Sequence, residues 1–486
     1  MNAEARMLHA QPQEIQALQL QRLKETLARA KQAPYFAERL KNAQVTSLAD
    51  LEKLPLTTKE DLRAASPYGA VAVPPERLYQ YHESTGTTGG AVSSWLTRED
   101  LQACADQINQ CDLDFNDRDL VMNKFPYAVS MPAHLVKQAA QNRGACVVSG
   151  STLSPICPYT RTLEMMAKLR CTVLTCGTTD AVLLGAAAKA MGMDPSRDFN
   201  LRAIGVAGEM LTAGRRRRIE ENWNAKVYNY YGTTETGNMA ADSSDGQMFL
   251  AWDHFIIEVL DEETMQPLPP GQAGMPAVTT LTRQAMPLIR YVLTDRIVLE
   301  TEHNRPGGRT APIVRHEGRE QGRFPFQGRS ISLADLEDRM FKLPREVASD
   351  IWMIVVTPKM VYFRVEAERF DPALYRKAEK EIGDELNFPL KIEAVPLGAV
   401  FPVWWLLEPA RVGKPAYHCE AESLHAAPQN LPELWMGPAP AGPPPGMEGM
   451  DMGGMGGPPP GDMGGGPGDF GPPPGLEMEP GAPRGP

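Results

Sequence analysis

The chain has 486 residues, too many for one ordinary hydrophobic core, so two or more domains are expected. Hydrophobic residues make up 42% and charged residues 22%, the balance of a globular protein. The net charge is −11, and the stretch from Gly437 to Pro486 holds six acids against one arginine, so the body is only mildly acidic. That excludes the basic footprint of a protein that binds nucleic acid or an anionic membrane surface. The seven cysteines include no C-x-x-C pair, no run approaches a membrane span, and the N-terminus lacks a signal-peptide layout. A reduced, cytoplasmic protein with no membrane association is expected.

In chain order, Pro12 to Leu40 carries helical spacing, with Ile15, Leu18, Leu23 and Leu27 on one side and a stop near Ala33-Pro34. LPLTTKEDLRAASPYG (54–69) reads as a helix start, with Thr57 or Thr58 ahead of Lys-Glu-Asp. YQYH (79–82), LVMNKF (120–125), CVVSG (146–150) and CTVLTC (171–176) read as strands. Between the later ones, HLVKQAAQNRG and TLEMMAKLR read as helices. This alternation predicts helix-layered parallel sheet. Beyond Gly237 the texture turns β-rich, in FIIEVLD, AVTTLTR, LIRYVLTDRIVLE and IWMIVVTPKMVYFRVEAE, before a last helix over 372–387. Of the final 50 residues 32 are Gly or Pro, which leaves too little apolar mass to offset ordering entropy, so a disordered tail over 437–486 is expected.

Four segments carry chemistry. In ESTGTTGG, Ser84, Thr85, Thr87 and Thr88 offer hydroxyls while Gly86, Gly89 and Gly90 permit close backbone approach. Such a loop can wrap an anion, or serve as a plain turn; the Walker lysine is absent. VYNYYGTTETG (227–237) runs an aromatic strand into a glycine turn, with Thr234 and the carboxylate of Glu235 beyond it. Its aromatics suit a flat ring and its carboxylate Mg²⁺, although an edge strand ending in a turn has the same pattern. In LIRYVLTDRI, Asp295 reads either as an acceptor for vicinal hydroxyls or as half of a surface Arg–Asp pair. In EPARVGKPAYH, Lys414 follows Gly413 in a loop. The run Arg215–Arg218, with Glu220 and Glu221 behind it, reads as a solvated ion-paired helix face or as a contact for an anionic group.

The order of these segments resembles the adenylate-forming (acyl-CoA synthetase/ligase) superfamily, and in its phenylacetate–CoA ligase-like branch the match spans roughly residues 12–420. The resemblance implies an α/β fold. Its large N-terminal domain (1–317) would hold helix-layered β-sheets and a β-barrel-like part; a hinge (318–330) and a small mobile α+β C-terminal domain (331–436) would follow. It implies an ATP-dependent ligase that activates an acid, commonly aromatic in the branch, as acyl-AMP with release of pyrophosphate. The acyl group then passes to coenzyme A.

By the same resemblance, Ser84, Thr85, Gly86, Thr87, Thr88 and Gly89 would hold the β- and γ-phosphates of ATP. Gly208 and Glu209 would border the adenine, with Tyr231 stacked on it. Thr234 would lie near the α-phosphate, with Glu235 on Mg²⁺. Asp295 would bind the ribose with help from Arg319, and Lys414 would reach the reacting groups. Phe125, Tyr127 and His134 would flank the acid. A homodimer is common in the branch.

The chain departs from the branch in three places. Gly90 and Ala91 stand where a lysine and a proline are usual, Gln321 replaces a hinge aspartate, and no cysteine cluster precedes AWDHF, so no structural zinc is expected. The altered hinge keeps a carrier-protein thiol or an amine open as acceptor. A non-catalytic binding or scaffold homologue is the reading from another class.

Overall fold

The computed structural model describes residues 5–84, 90–152, 154–301, 308–319, 322–407 and 417–436. Thr85–Gly89, Gln321, Lys414 and the 437–486 tail therefore lie outside the described residues. The amino-terminal periodicity forms α1 (Pro12–Ala30), with proline in its first turn, where an N–H would be unpaired anyway. Pro34 starts a separate helix, α2 (Pro34–Arg39), so the expected break is present. The next helix, α3 (Lys59–Ala65), is capped by Thr58. Its hydroxyl accepts from the Asp61 N–H while the Asp61 carboxylate accepts from the Thr58 N–H. Thr57, the other candidate, instead donates its hydroxyl to the buried Ile289 carbonyl.

An antiparallel hairpin follows, β1 (Gln80–Glu83) with β2 (Ser93–Leu96). Helices and strands then alternate as α4 (Arg98–Asn109), β3 (Leu120–Asn123), α5 (Pro132–Asn142), β4 (Cys146–Ser149), α6 (Tyr159–Leu169), β5 (Val173–Gly177), α7 (Thr178–Ala190), β6 (Ala203–Ala207), α8 (Ala213–Trp223) and β7 (Lys226–Thr233). These strands lie parallel in the order β4-β3-β5-β6-β7. Short apolar strands joined by helical crossovers leave no other economical pairing.

Past β7 the sheet continues antiparallel. Strands β8 (Gly237–Asp242), β9 (Met248–Leu250), β10 (Phe255–Leu260), β11 (Ala273–Thr280), β12 (Tyr291–Val292), β13 (Asp295–Glu300) and β14 (Ile313–Arg319) extend it along β7-β8-β9-β14-β13-β11-β10, with β12 on β11. A hairpin of β15 (Arg323–Phe326) and β16 (Arg329–Ser332) leads into α9 (Leu333–Met340). Then come β17 (Trp352–Val356), β18 (Val361–Ala367), α10 (Pro372–Leu386), β19 (Leu390–Pro396), α11 (Val403–Leu407), β20 (His418–Glu420) and α12 (Leu431–Met436). They build a four-stranded sheet ordered β19-β18-β17-β20.

Period-2 alternation along β17 decides how this last sheet is placed. Trp352, Ile354 and Val356 pack with Leu336, Phe363 and Ile382 in a core of its own. Met353 and Val355 face the other way and join Leu184, Ile219 and Trp223 of α7 and α8 in the core of the large sheet. The C-terminal sheet is thus buried on both faces.

Candidate active site

Because β4, β3, β5, β6 and β7 are parallel, their carboxyl ends meet at one edge, where ligands of open α/β sheets bind. After β3 comes Lys124, buried, its ammonium donating to the Ser151 carbonyl at 2.5 Å and to the Cys157 carbonyl; burial lowers its pKa. After β5, Asp180 accepts from the Tyr159 hydroxyl at 2.5 Å and the Thr152 hydroxyl at 2.9 Å, and its pKa is raised by burial. After β6, Gly208 has φ +90°, a left-handed turn that glycine takes without strain. It is followed by Glu209, which accepts from the Thr179 N–H at 3.2 Å and from the Thr179 hydroxyl. Burial raises Glu209, and Arg215, 3.9 Å away, opposes the shift.

The β7–β8 hairpin carries the next group. The turn expected at Gly232 lies further on, at Thr234–Thr236, and Gly232 sits inside β7 beside a register shift. A Cβ there would stand 2.0 Å from the Gly237 carbonyl oxygen, so the two hairpin strands cross at a distance only glycine allows. In the turn, Glu235 is 6% exposed and its Oε1 has no hydrogen-bond partner; the Lys59 ammonium lies 3.9 Å off. A buried carboxylate oxygen left unsatisfied is costly, and a hard divalent cation with oxygen ligands would satisfy it. Mg²⁺ therefore fits this position.

Tyr231 donates its hydroxyl to Asp295 Oδ2 at 2.9 Å. Asp295 is 1% exposed, which rules out the surface Arg–Asp reading; Arg290 instead forks onto Glu258. In the sheet register Asp295 pairs with Arg319, so the two predicted ribose residues are cross-strand neighbours.

The predicted phosphate loop is the β1–β2 connection. Ser84 anchors its start: its N–H donates to the Val92 carbonyl and its hydroxyl accepts from the Val92 N–H, both at 3.1 Å. At the other end Arg63 Nε donates to the Gly90 carbonyl at 2.9 Å, and its second terminal nitrogen has no partner. Lys59 and Arg63, one turn apart on α3, thus bring two cations to Glu235 and to the end of the loop. Sequence reasoning missed both, although TTKEDLR holds them at i,i+4, a spacing that puts them on one helix face.

Among the residues expected to flank the acid, Phe125 is packed into the apolar cluster with Met131 and Val136. Tyr127 hydrogen-bonds to Ser149 at 2.9 Å and Asn123 at 3.1 Å, and His134 lies 5.2 Å from its ring and 5.1 Å from that of His82. Burial holds His82 down at about 4. The reading of Arg215–Arg218 as a solvated face or an anion contact fails for two of the four. Arg215 and Arg218 are buried, paired with Glu337 of α9 and with Asp350 just before β17.

A parallel sheet whose carboxyl edge gathers buried charges, with an unpartnered buried carboxylate beside it, suits a ligand-binding α/β enzyme, and comparison gives the family. A profile of the AMP-binding enzyme family matches residues 2–277. The chain belongs to that family. It is 28% identical over 427 residues to a phenylacetate–coenzyme A ligase of Thermus thermophilus, covering 79% of this chain and 93% of the relative. It is 29% identical over 350 residues to that of Escherichia coli, covering 68% and 76%. Among solved structures, 2-hydroxyisobutyryl-CoA ligase in the postadenylation state superposes with a TM-score of 0.75 at 23% identity, over 85% of this chain and 91% of that one. The same ligase with 2-HIB-AMP and CoA in the thioesterification state gives 0.61 at 24% identity, over 85% and 91%. These likenesses establish the fold.

Proposed function

We propose that the protein is an ATP-dependent, AMP-forming acid–coenzyme A ligase. A carboxylate oxygen attacks the α-phosphorus of ATP, the bond to the bridging oxygen breaks, and pyrophosphate leaves. The thiolate of coenzyme A then attacks the acyl carbon and AMP departs. The observation that carries this reading is the unsatisfied Glu235 oxygen beside Lys59 at the carboxyl edge of the sheet. Attack by one anion on another needs charge neutralisation and in-line positioning more than a general base. Glu235 would hold Mg²⁺, which supplies charge neutralisation at the phosphates when bound.

In this reading Lys59 and Arg63 line the phosphate side, Gly208 and Glu209 the adenine, and Tyr231 and Asp295 the adenine and ribose, with Thr234 near the α-phosphate. Lys414, by the family pattern, would be the group that reaches the reacting oxygens. Tyr127 and His134 point to the acid side, where the relatives take phenylacetate. Coenzyme A is the acceptor supported by these relatives, and the hinge difference at Gln321 is the one feature that favours testing a carrier-protein thiol or an amine.

The test is acid-dependent ATP–pyrophosphate exchange over a panel of aryl and alkyl acids, then mass spectrometry of the product formed with coenzyme A, an amine or a carrier protein. Exchange with at least one acid and a coenzyme A thioester are expected; a folded protein with no exchange for any acid would favour the scaffold reading. Lys414→Ala should lose exchange by about 100-fold or more while still binding ATP.

A further inference from the structure

We infer that Arg215 and Glu337 form a latch coupling the nucleotide edge of the site to the docking of the C-terminal sheet, so that both act as positioning residues. The inference rests on the adenylation reading above. Arg215 is on α8 and Glu337 on α9, and the side chains are 6% and 3% exposed. Glu337 accepts from Arg215 Nε at 2.8 Å and from one of its terminal nitrogens at 2.5 Å. It also accepts from the Thr212 hydroxyl at 2.7 Å and the Trp352 indole N–H at 3.0 Å. Four donors fill a carboxylate's capacity.

The remaining guanidinium nitrogen turns the other way. It donates to the Tyr417 hydroxyl at 3.2 Å and lies 3.9 Å from Glu209 Oε2. Thr179 closes the ring, with its N–H on Glu209 and its hydroxyl between Glu209 and Tyr417. One buried cation is therefore shared by the carboxylate that ends β6 and two groups of the C-terminal part.

Such an arrangement is electrically satisfied only while all its members are in place. A buried pair separated from its partner leaves a charge without compensation. A nucleotide that orients Glu209 changes its share of Arg215, and so changes how firmly Glu337 and Tyr417 are held. By linkage, docking of the C-terminal sheet tightens the nucleotide edge to the same degree. Rotation of that sheet for the second half-reaction requires Arg215 to release Glu337. A second contact serves as an internal control. Arg218 bonds to Asp350 at 3.1 Å and to the Ala348 and Leu343 carbonyls, and among the described residues no contact links this group to Glu209.

The experiment uses the full chain and measures the two half-reactions separately. They are ATP–pyrophosphate exchange and capture of supplied acyl-adenylate by coenzyme A. For Glu337→Gln the latch predicts that exchange at limiting ATP falls by about tenfold, carried by a raised KM for ATP more than by kcat, while capture is unchanged or faster. An equal fall in both would mark Glu337 as merely structural and overturn the inference.

Amide hydrogen exchange over 333–340 gives a readout independent of turnover. MgATP should protect these amides in the wild type and in Asp350→Asn, and fail to do so in Glu337→Gln. Equal protection in Glu337→Gln, or none in the wild type, overturns the latch. The double variant Arg215→Met/Glu337→Met removes both charges together and preserves packing. It should keep the fold and still lack nucleotide-dependent protection; protection regained there also overturns it. Absence of pyrophosphate exchange by the wild type with every acid would instead count against the adenylation reading.

Discussion

Glu235 shows how much one atom can say. A carboxylate 6% exposed with an unpaired oxygen is an expensive arrangement unless something binds to it. Glu235→Gln keeps the shape and removes the charge, so exchange should fall by about 10- to 100-fold, partly restored by higher Mg²⁺. An unchanged rate and Mg²⁺ dependence would remove Glu235 from the metal site. Gly90 is the complementary case. Among the described residues a Cβ there would meet only Arg63, at 3.7 and 3.9 Å, so a side chain fits against them without strain. Gly90→Lys restores the cation common in the branch, and KM for ATP should drop by up to about tenfold, the effect of one charge-assisted hydrogen bond.

His82 makes a pH prediction. Burial lowers it from 6.5 to about 4, with repulsion from His134 and Arg283 adding to the shift and the Val129 carbonyl opposing it. Below pH 6.5 the unfolded chain takes up the proton first, so stability falls as pH drops from about 6.5 to about 4 and is level beyond. Thermal midpoints between pH 7 and 4 should drop more in the wild type than in His82→Gln; parallel curves would sink the assignment.

At the scale of elements, the β7–β8 hairpin is the most constrained piece of the site. It needs Gly232 because the Gly237 carbonyl occupies the space of any side chain, and backbone cannot give way as a flexible side chain can. Gly232→Ala should cost about 3 kcal/mol, the upper end of overpacking penalties, read as a lowered urea midpoint. An unchanged midpoint would mean that the strands can separate at that crossing. The turn itself was misplaced in sequence reasoning, since glycine marks both turns and close approaches and only the cross-strand neighbour tells them apart. The helix starts were legible. Thr58 and Thr97 each cap with an aspartate three residues on, a reciprocal bond visible in TTKED and TRED.

For the whole molecule, the alternation from β3 to β7 was readable because each strand's apolar run and each crossover helix is a local pattern. The order of the hydroxyl-rich segment, the aromatic strand with Glu235, and Asp295 along the chain carried the family resemblance. The second burial of β17 was not readable, since a strand with apolar residues at every position does not say what covers either face. Nor was the fate of the arginine run. GRRRRIEE has the composition of a solvated helix, and its i,i+4 acids reinforce that reading.

By itself the sequence determined the class of fold and the family, because these rest on periodicity and on residues a few positions apart. Only the tertiary structure decided which charges are surface and which are buried. Glu337 lies 122 residues from Arg215, Asp350 132 from Arg218, and Asp295 64 from Tyr231. A charge's energy depends on the dielectric and partners around it, and those partners come from segments that no local pattern places beside it.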